Sequence, residues 1–379
     1  MQKKIRIVRI GIILVVFIIS AIILNNNTNN KHTFKKDGIL YAVSLDGKSI
    51  TSFPSKGLYK ANVSCEGADG KWLYDDWKLA IENITGDISC DIKFETITKT
   101  YLNDYITGLA GTTQGTGQVV NENGYRYEGK NPNNYVWFNN EYWRIIGVFD
   151  SNSHGQSGKN LVKIILADVL DSLAWNRSKT NDWTAAGLNK LLNGAYYNAQ
   201  DGTNSEYCYR YSITVTADCD YTKKGIQAGY RSMIANVIWY LGGYSSTRAT
   251  TEAFYGYERG TTVYSGRPTT TTGYIGLMYP SDYGYSVLSS SCVRTTYIDS
   301  YSNDTCAGQS WLYGKGREWT ISPNSSNNVG VFTLSDNASN VYNGYGTRPV
   351  LYLDASVYKI DGEGTLDKPY IIGMWEPLV

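Results

Sequence analysis

Glu258, in the string YGYERG, and Asp282, in PSDYGY, are the acids of this chain best set among aromatic side chains. Two carboxyls about 5 to 9.5 Å apart can hydrolyse a glycosidic bond, one as acid and the other as base or nucleophile. No feature of the sequence makes them neighbours, and Asp282 suits a plain turn after Pro280 equally well. A serine nucleophile would need a positioned imidazole. The chain has only His32, in an asparagine-rich spacer, and His154, in SNSHGQSG, where a solvated loop residue is an equal explanation. Calcium needs about six to eight oxygens. Asp218 to Asp220 and Asp361 to Asp367 supply carboxylates without EF-hand spacing, and solvated turns account for them. The expectation is a protein that is not an enzyme and has no metal or cofactor.

Recognition is the other chemistry. Tyrosine supplies rigid apolar area with a hydroxyl at low entropy cost, which is why it dominates antibody paratopes. From Tyr255 to Tyr285 the chain is rich in Tyr, Gly, Ser and Thr, with Arg259 and Arg267 as polar anchors. The ligand-binding candidates are Tyr257, Arg259, Tyr283 and Tyr285. Some tyrosines there must fill core, because no long aliphatic run is present to do so. In YIGLMYPSDYGYS the expectation is a buried strand over IGLMY and a turn over PSDYG, with Tyr283 and Tyr285 divided between core and surface.

The elements that position these residues begin with a membrane-directed segment. Lys3, Lys4, Arg6 and Arg9 precede an uncharged stretch that lasts until Lys31. Its core, Ile10 to Leu24, reaches roughly 22 Å as a helix against about 30 Å of hydrocarbon. Ile5, Ile7 and Val8 extend it if Arg6 and Arg9 snorkel. A cleaved signal peptide competes, but no A-x-A site follows, so an uncleaved anchor is expected. The positive-inside rule then puts residues from Asn25 onward outside the cytoplasm. The expected location is the cell membrane, single-pass, with the C-terminal domains extracellular.

All six cysteines lie beyond the anchor. An even count in an exported chain suggests disulfides, and pairing neighbours joins Cys65 to Cys90, Cys208 to Cys219, and Cys292 to Cys306. The sequence leaves the connectivity open. The absence of any C-x-x-C argues against zinc or thioredoxin-like chemistry. Beyond Arg9 the acids outnumber the bases by three, so the basic stripe that nucleic-acid binding requires is missing.

The domain reading is a basic tip at 1–9, an anchor at 10–24, a spacer at 25–37 and a small β module at 38–97. A helix and linker follow at 98–118, and a large domain fills 119–379. In the module, ILYAVSL runs into the turn pair Asp46-Gly47. So small a core makes a Cys65 to Cys90 bridge important. In the large domain, NYVWFNNEYWRIIGVFD reads as a hairpin about Asn139-Asn140, and LVKIILADV as a third strand. NDWTAAGLNKLLNGAYYN reads as a helix capped by Asn181 or Asp182, with Leu188, Leu191 and Leu192 on one face. TKKGIQAGYRSMIANVIWYLGG reads as a second helix, because Ile226, Tyr230, Met233, Ile234, Val237, Ile238 and Leu241 recur at spacings of three and four. Residues 244–340 read as loop-rich but packed.

The motifs NYVWFNNEYWRIIGVF, LLNGAYYN, YGYERG, IGLMYPSDYGYS, REWTISPNSS and GTRPVLYLDASVYKIDGEGTLDKPYII occur in this order. In that order the chain resembles, over Tyr125 to Ile372, an uncharacterised domain of surface proteins from anaerobic Gram-positive bacteria. That domain is similar to the C-type-lectin-like fold, in the branch of formylglycine-generating enzymes. The shared parts are the strand EWTISP, a Gly-rich turn region and the closing strand GTRPVLYL. YAVSLDGKSITSFPSKGLYKANVSC with ISCDIKF resembles a β module found in front of it. The resemblance implies an α+β fold: a membrane helix, a small all-β, Ig-like module, then a loop-rich lectin-like domain whose loops bind a glycan or a surface protein. The oligomeric state stays open. Copper does not carry over, since Cys292 and Cys306 suit an ordinary bridge, and the partial SPN at Ser322 to Asn324 does not carry calcium over. The alternatives are a cell-envelope enzyme, either a hydrolase or a formylglycine-type oxidase, and a self-assembling envelope component.

Overall fold

A computed structural model of the protein describes residues 33–36, 38–74, 76–211, 215–301, 305–313, 316–334 and 336–374. The anchor expected at 10–24 lies outside the described residues, as does His32. Among the described residues, no helix is long and apolar enough to cross a membrane. The expected class, a membrane helix with an α+β body, is therefore corrected: the fold is mostly β, with 41% strand and 16% helix.

The correction has a local cause. The helix expected after Gly225 is only a 3-10 turn, Ala228–Met233, and the chain then extends into the strand Val237–Tyr240, paired with Thr270–Gly273. Gly225 and Gly229 weaken a helix, while Val237, Ile238 and Trp239 favour a pleated strand. Val237 and Trp239 are buried alternately, so the same apolar residues satisfy a period of two. The other expected helix is broken as well. Asp182 caps one short turn, Trp183–Ala185, and Gly187–Leu191 then runs into a wider turn over Leu192–Tyr196. Leu188, Leu191 and Leu192 are all buried.

The chain forms two compact units, Met1–Lys99 and Thr100–Val379. In the first, Ile39–Leu45 lies between Thr33–Lys36 and Ser89–Thr96, and Tyr59–Glu66 pairs on the far side of Ser89–Thr96. Asp46 and Gly47 take positive φ, as a two-residue hairpin turn requires, and return the chain into Lys48–Ile50. Ile39–Leu45 and Ser89–Thr96 run parallel, which departs from the antiparallel sheets of an Ig sandwich.

In the second unit an eleven-stranded sheet carries the core. Its centre is Leu161–Leu166, buried at every position between Glu141–Phe149 and Val350–Leu353. Asn139 and Asn140, at φ 57° and 60°, close the hairpin of Tyr135–Phe138 and Glu141–Phe149. Residues 98–118 belong partly to this body. Thr100–Tyr101 pairs with Val357–Asp361, the helix Leu102–Thr107 buries Leu102 and Ile106, and Thr116–Asn121 pairs with Tyr125–Asn131.

Three disulfides join Cys65 to Cys90, Cys208 to Cys219, and Cys292 to Cys306, leaving no free cysteine. Such bridges persist in oxidising compartments, so the chain fits an extracellular or secreted protein.

Candidate functional site

The segment PSDYGY is not a turn but the start of a helix, Pro280–Ser286, buried along its whole length. Pro280 suits a first helical turn because its missing N–H would have no partner there. Asp282 reaches back to accept from the Tyr279 backbone N–H at 2.9 Å. A second helix, Thr251–Arg259, is capped by the Thr250 hydroxyl, which accepts from Ala253 N–H. The two helices meet at Gly284, where an added Cβ would collide with the Thr251 side chain. This close approach sets Glu258 over Ser281, and the carboxylate accepts from the Ser281 N–H at 2.8 Å and its hydroxyl at 2.5 Å.

Asp282 is the hub. Arg126 Nη1 donates to its Oδ1 at 3.0 Å and Lys163 Nζ to its Oδ2 at 2.5 Å, with all three side chains 1% exposed. Lys163 projects from the central strand among the rings of Tyr279, Tyr352, Phe149 and Trp239, 4.4 to 5.8 Å away. The Arg126 guanidinium packs on Phe149 and Tyr285, at 4.5 and 4.4 Å. Arg259 packs on the Tyr255 ring at 3.5 Å and donates to Glu258 and to Ser153 Oγ.

Burial sets the electrostatics of this cluster. It would raise the Asp282 carboxyl, but Lys163 and Arg126 overcome it and hold the group below its ordinary value. Burial lowers the Lys163 ammonium to about 8 despite Asp282. Glu258 is pushed up to about 7 by burial, against the pull of Arg259.

The two acids singled out from sequence thus come together through Ser281, but in a packed interior. Glu258 is 0% and Asp282 2% exposed, so neither carboxyl faces solvent. His154 is not a solvated loop residue. It is buried, donates from Nε2 to Phe149 O, accepts at Nδ1 from Gln156 N–H, and is held below its ordinary pKa by burial. Among the described residues, no group of His, Cys, Asp or Glu is placed to hold a metal ion.

The four ligand-binding candidates do not form a surface. Tyr283 and Tyr285 are 2% and 3% exposed, so neither faces out, because a buried helix has replaced the expected turn. Tyr283 packs against Tyr301 and Tyr313, and the Tyr285 hydroxyl accepts from Asn123 Nδ2. Tyr257 is half-buried and stacked on Tyr244 at 4.1 Å. Arg259 keeps 13% exposure and Arg267 donates to Asn181.

No protein-family model, curated protein or solved structure matches this chain. The functional reading therefore rests first on its geometry.

That geometry contains an aromatic strip absent from the sequence-based candidates. Along Tyr135–Phe138, Val136 and Phe138 enter the core while Tyr135 and Trp137 occupy the other face, half-buried. Tyr142, 38% exposed, is the cross-strand partner of Trp137, with ring centroids 4.9 Å apart. Tyr135 lies 6.2 Å from Tyr142, and Arg144 packs over Tyr135 at 4.3 Å. The alternation of YVWFNNEYW about a two-residue turn was a visible signal for it. The lysine inside the apolar run LVKIIL was likewise a visible sign of a buried charge.

Proposed function

We propose that this is an extracellular recognition protein whose C-terminal unit binds a glycan on the strip formed by Tyr135, Trp137 and Tyr142. The observation that carries this reading is the outward face of one rigid hairpin, which presents three aromatic side chains while its inward face is fully packed. A sugar ring offers an apolar C–H face bordered by hydroxyls. Tyrosine and tryptophan supply the complementary apolar body with a polar edge at low entropy cost. A site on paired strands is also better fixed than one on loops. The disulfides support the extracellular setting. The resemblance to a lectin-like surface domain, carried by EWTISP and GTRPVLYL, points the same way.

Binding of the full chain to arrayed glycans and cell-wall polysaccharides tests the proposal. Trp137→Ala should weaken binding at least tenfold while leaving the melting transition of the large unit in place. A negative result across both ligand sets, or undiminished binding by a folded Trp137→Ala protein, would sink it.

A further inference from the structure

We propose that Lys163 and Asp282 condense into an intramolecular amide, tying the central strand Leu161–Leu166 covalently to the helix Pro280–Ser286. The pair is already in contact, with Nζ 2.5 Å from Oδ2 and both side chains 1% exposed. The carboxyl carbon, one bond beyond Oδ2, is then close to the roughly 3 to 3.5 Å separation of a near-attack pair. Two groups held in this way act at effective molarities on the order of 10⁵ M or more.

The surroundings match the needs of the step. Aromatic rings of Phe149, Trp239, Tyr279 and Tyr352 wall the amine off from solvent. Burial brings its ammonium down to about 8, whereas Lys163 and Arg126 hold the Asp282 carboxyl below its ordinary value, so the proton transfer that opens the step runs uphill and forms part of its barrier. Arg126 Nη1 donates to Oδ1, where negative charge would develop in a tetrahedral intermediate. The Tyr279 N–H donates to Oδ2, the oxygen nearest the amine.

The step balances without a co-reactant. One proton moves from the Lys163 ammonium to Oδ2, giving a neutral amine and a carboxylic acid. The nitrogen lone pair attacks Cγ and forms the C–N bond. The bond from Cγ to Oδ2 breaks, and that oxygen leaves as water with a second proton from the nitrogen. Oδ1 remains as the amide carbonyl on Arg126. The product replaces the buried charges of Lys163 and Asp282 by a neutral amide, whose carbonyl keeps the Arg126 hydrogen bond but no longer supplies its counter-charge, and excluded water disfavours the reverse reaction. The bond would close a separation of 119 residues and fix the helix to the central strand.

Peptide mapping of the full chain, with its disulfides reduced, tests this directly. Trypsin should fail to cleave after Lys163. Residues 160–177 should then be recovered joined to residues 260–294, at a combined mass one water below the sum of the two. Lys163→Arg keeps a cation beside Asp282 but lacks the nucleophilic amine, and should be cleaved after position 163, giving residues 160–163, 164–177 and 260–294 as three separate peptides. Free Lys163 and Asp282 peptides at full mass from the native protein would overturn the proposal. That measurement needs no variant, so it stands even where a Lys163→Arg chain fails to fold.

Discussion

The N-terminal unit is held by aromatic packing and one bridge, whereas the C-terminal unit buries charge. In the first, Tyr41, Trp72 and Phe94 form the heart of a small core, with Phe53 and Trp77 packed edge to face around them. Cys65 and Cys90 face each other across neighbouring strands and lock that core. None of its described charged residues is buried as a whole, although the Lys36 ammonium itself is enclosed. The second unit buries Arg126, Lys163 and Asp282 together, and separately the pair Glu318 and Arg348. Size explains the contrast. A domain of about 60 residues buries too little surface to offset the desolvation of ions, while a body several times larger can.

The sharpest way to break this comparison is to leave one buried charge alone. Glu318 accepts from Arg348 Nε at 2.5 Å with both side chains almost fully enclosed. Glu318→Ala should cost about 3 to 5 kcal/mol, because the guanidinium stays buried without its counter-charge. Calorimetry should show the large unit melting earlier and the small unit unmoved. A loss below about 1 kcal/mol, the range of exposed pairs, would mean that the interior is wetter than its packing indicates.

Removing the bridge tests the other side. Cys65→Ser with Cys90→Ser opens a loop with a sequence separation of 25, which should cost about 3 kcal/mol and unfold the small unit selectively. A matching shift in the large unit would show that the two do not unfold independently.

What could be read from sequence follows the same division between local and distant causes. The turns at Asp46-Gly47 and Asn139-Asn140 were legible because positive φ is a property of two residues. The central strand was legible from LVKIIL, since strand character is a short-range signal. The meeting of Lys163 with Asp282 was not, because only the sheet order brings residues 119 apart into contact. Tyr283 and Tyr285 were misplaced for a related reason. Ser, Asp and Gly after a proline favour a turn locally, and the packing of Gly284 against Thr251 makes them a buried helix instead. The segment from Ile226 to Leu241 satisfied both periods, and pairing with Thr270–Gly273 decided between them.

The smallest of these effects separates buried charge from buried neutrality. Glu258 titrates at about 7 in the folded chain, above the 4.5 that a free carboxyl has. Between those values the folded state holds a proton that the unfolded state has lost, so stability falls as pH rises from about 4.5 to 7. Glu141, also raised to about 7 by burial, adds the same sign. His154 opposes both, because its buried neutral ring resists protonation and costs stability as pH falls below 6.5. Comparing wild type with Glu258→Gln isolates one contribution. The wild type should lose on the order of 2 to 3 kcal/mol more than the variant between pH 4.5 and 7.5. Equal slopes in denaturant titrations would mean that Glu258 stays ionised beside Arg259 throughout. The site would then hold two full ion pairs rather than one ion pair beside a neutral acid.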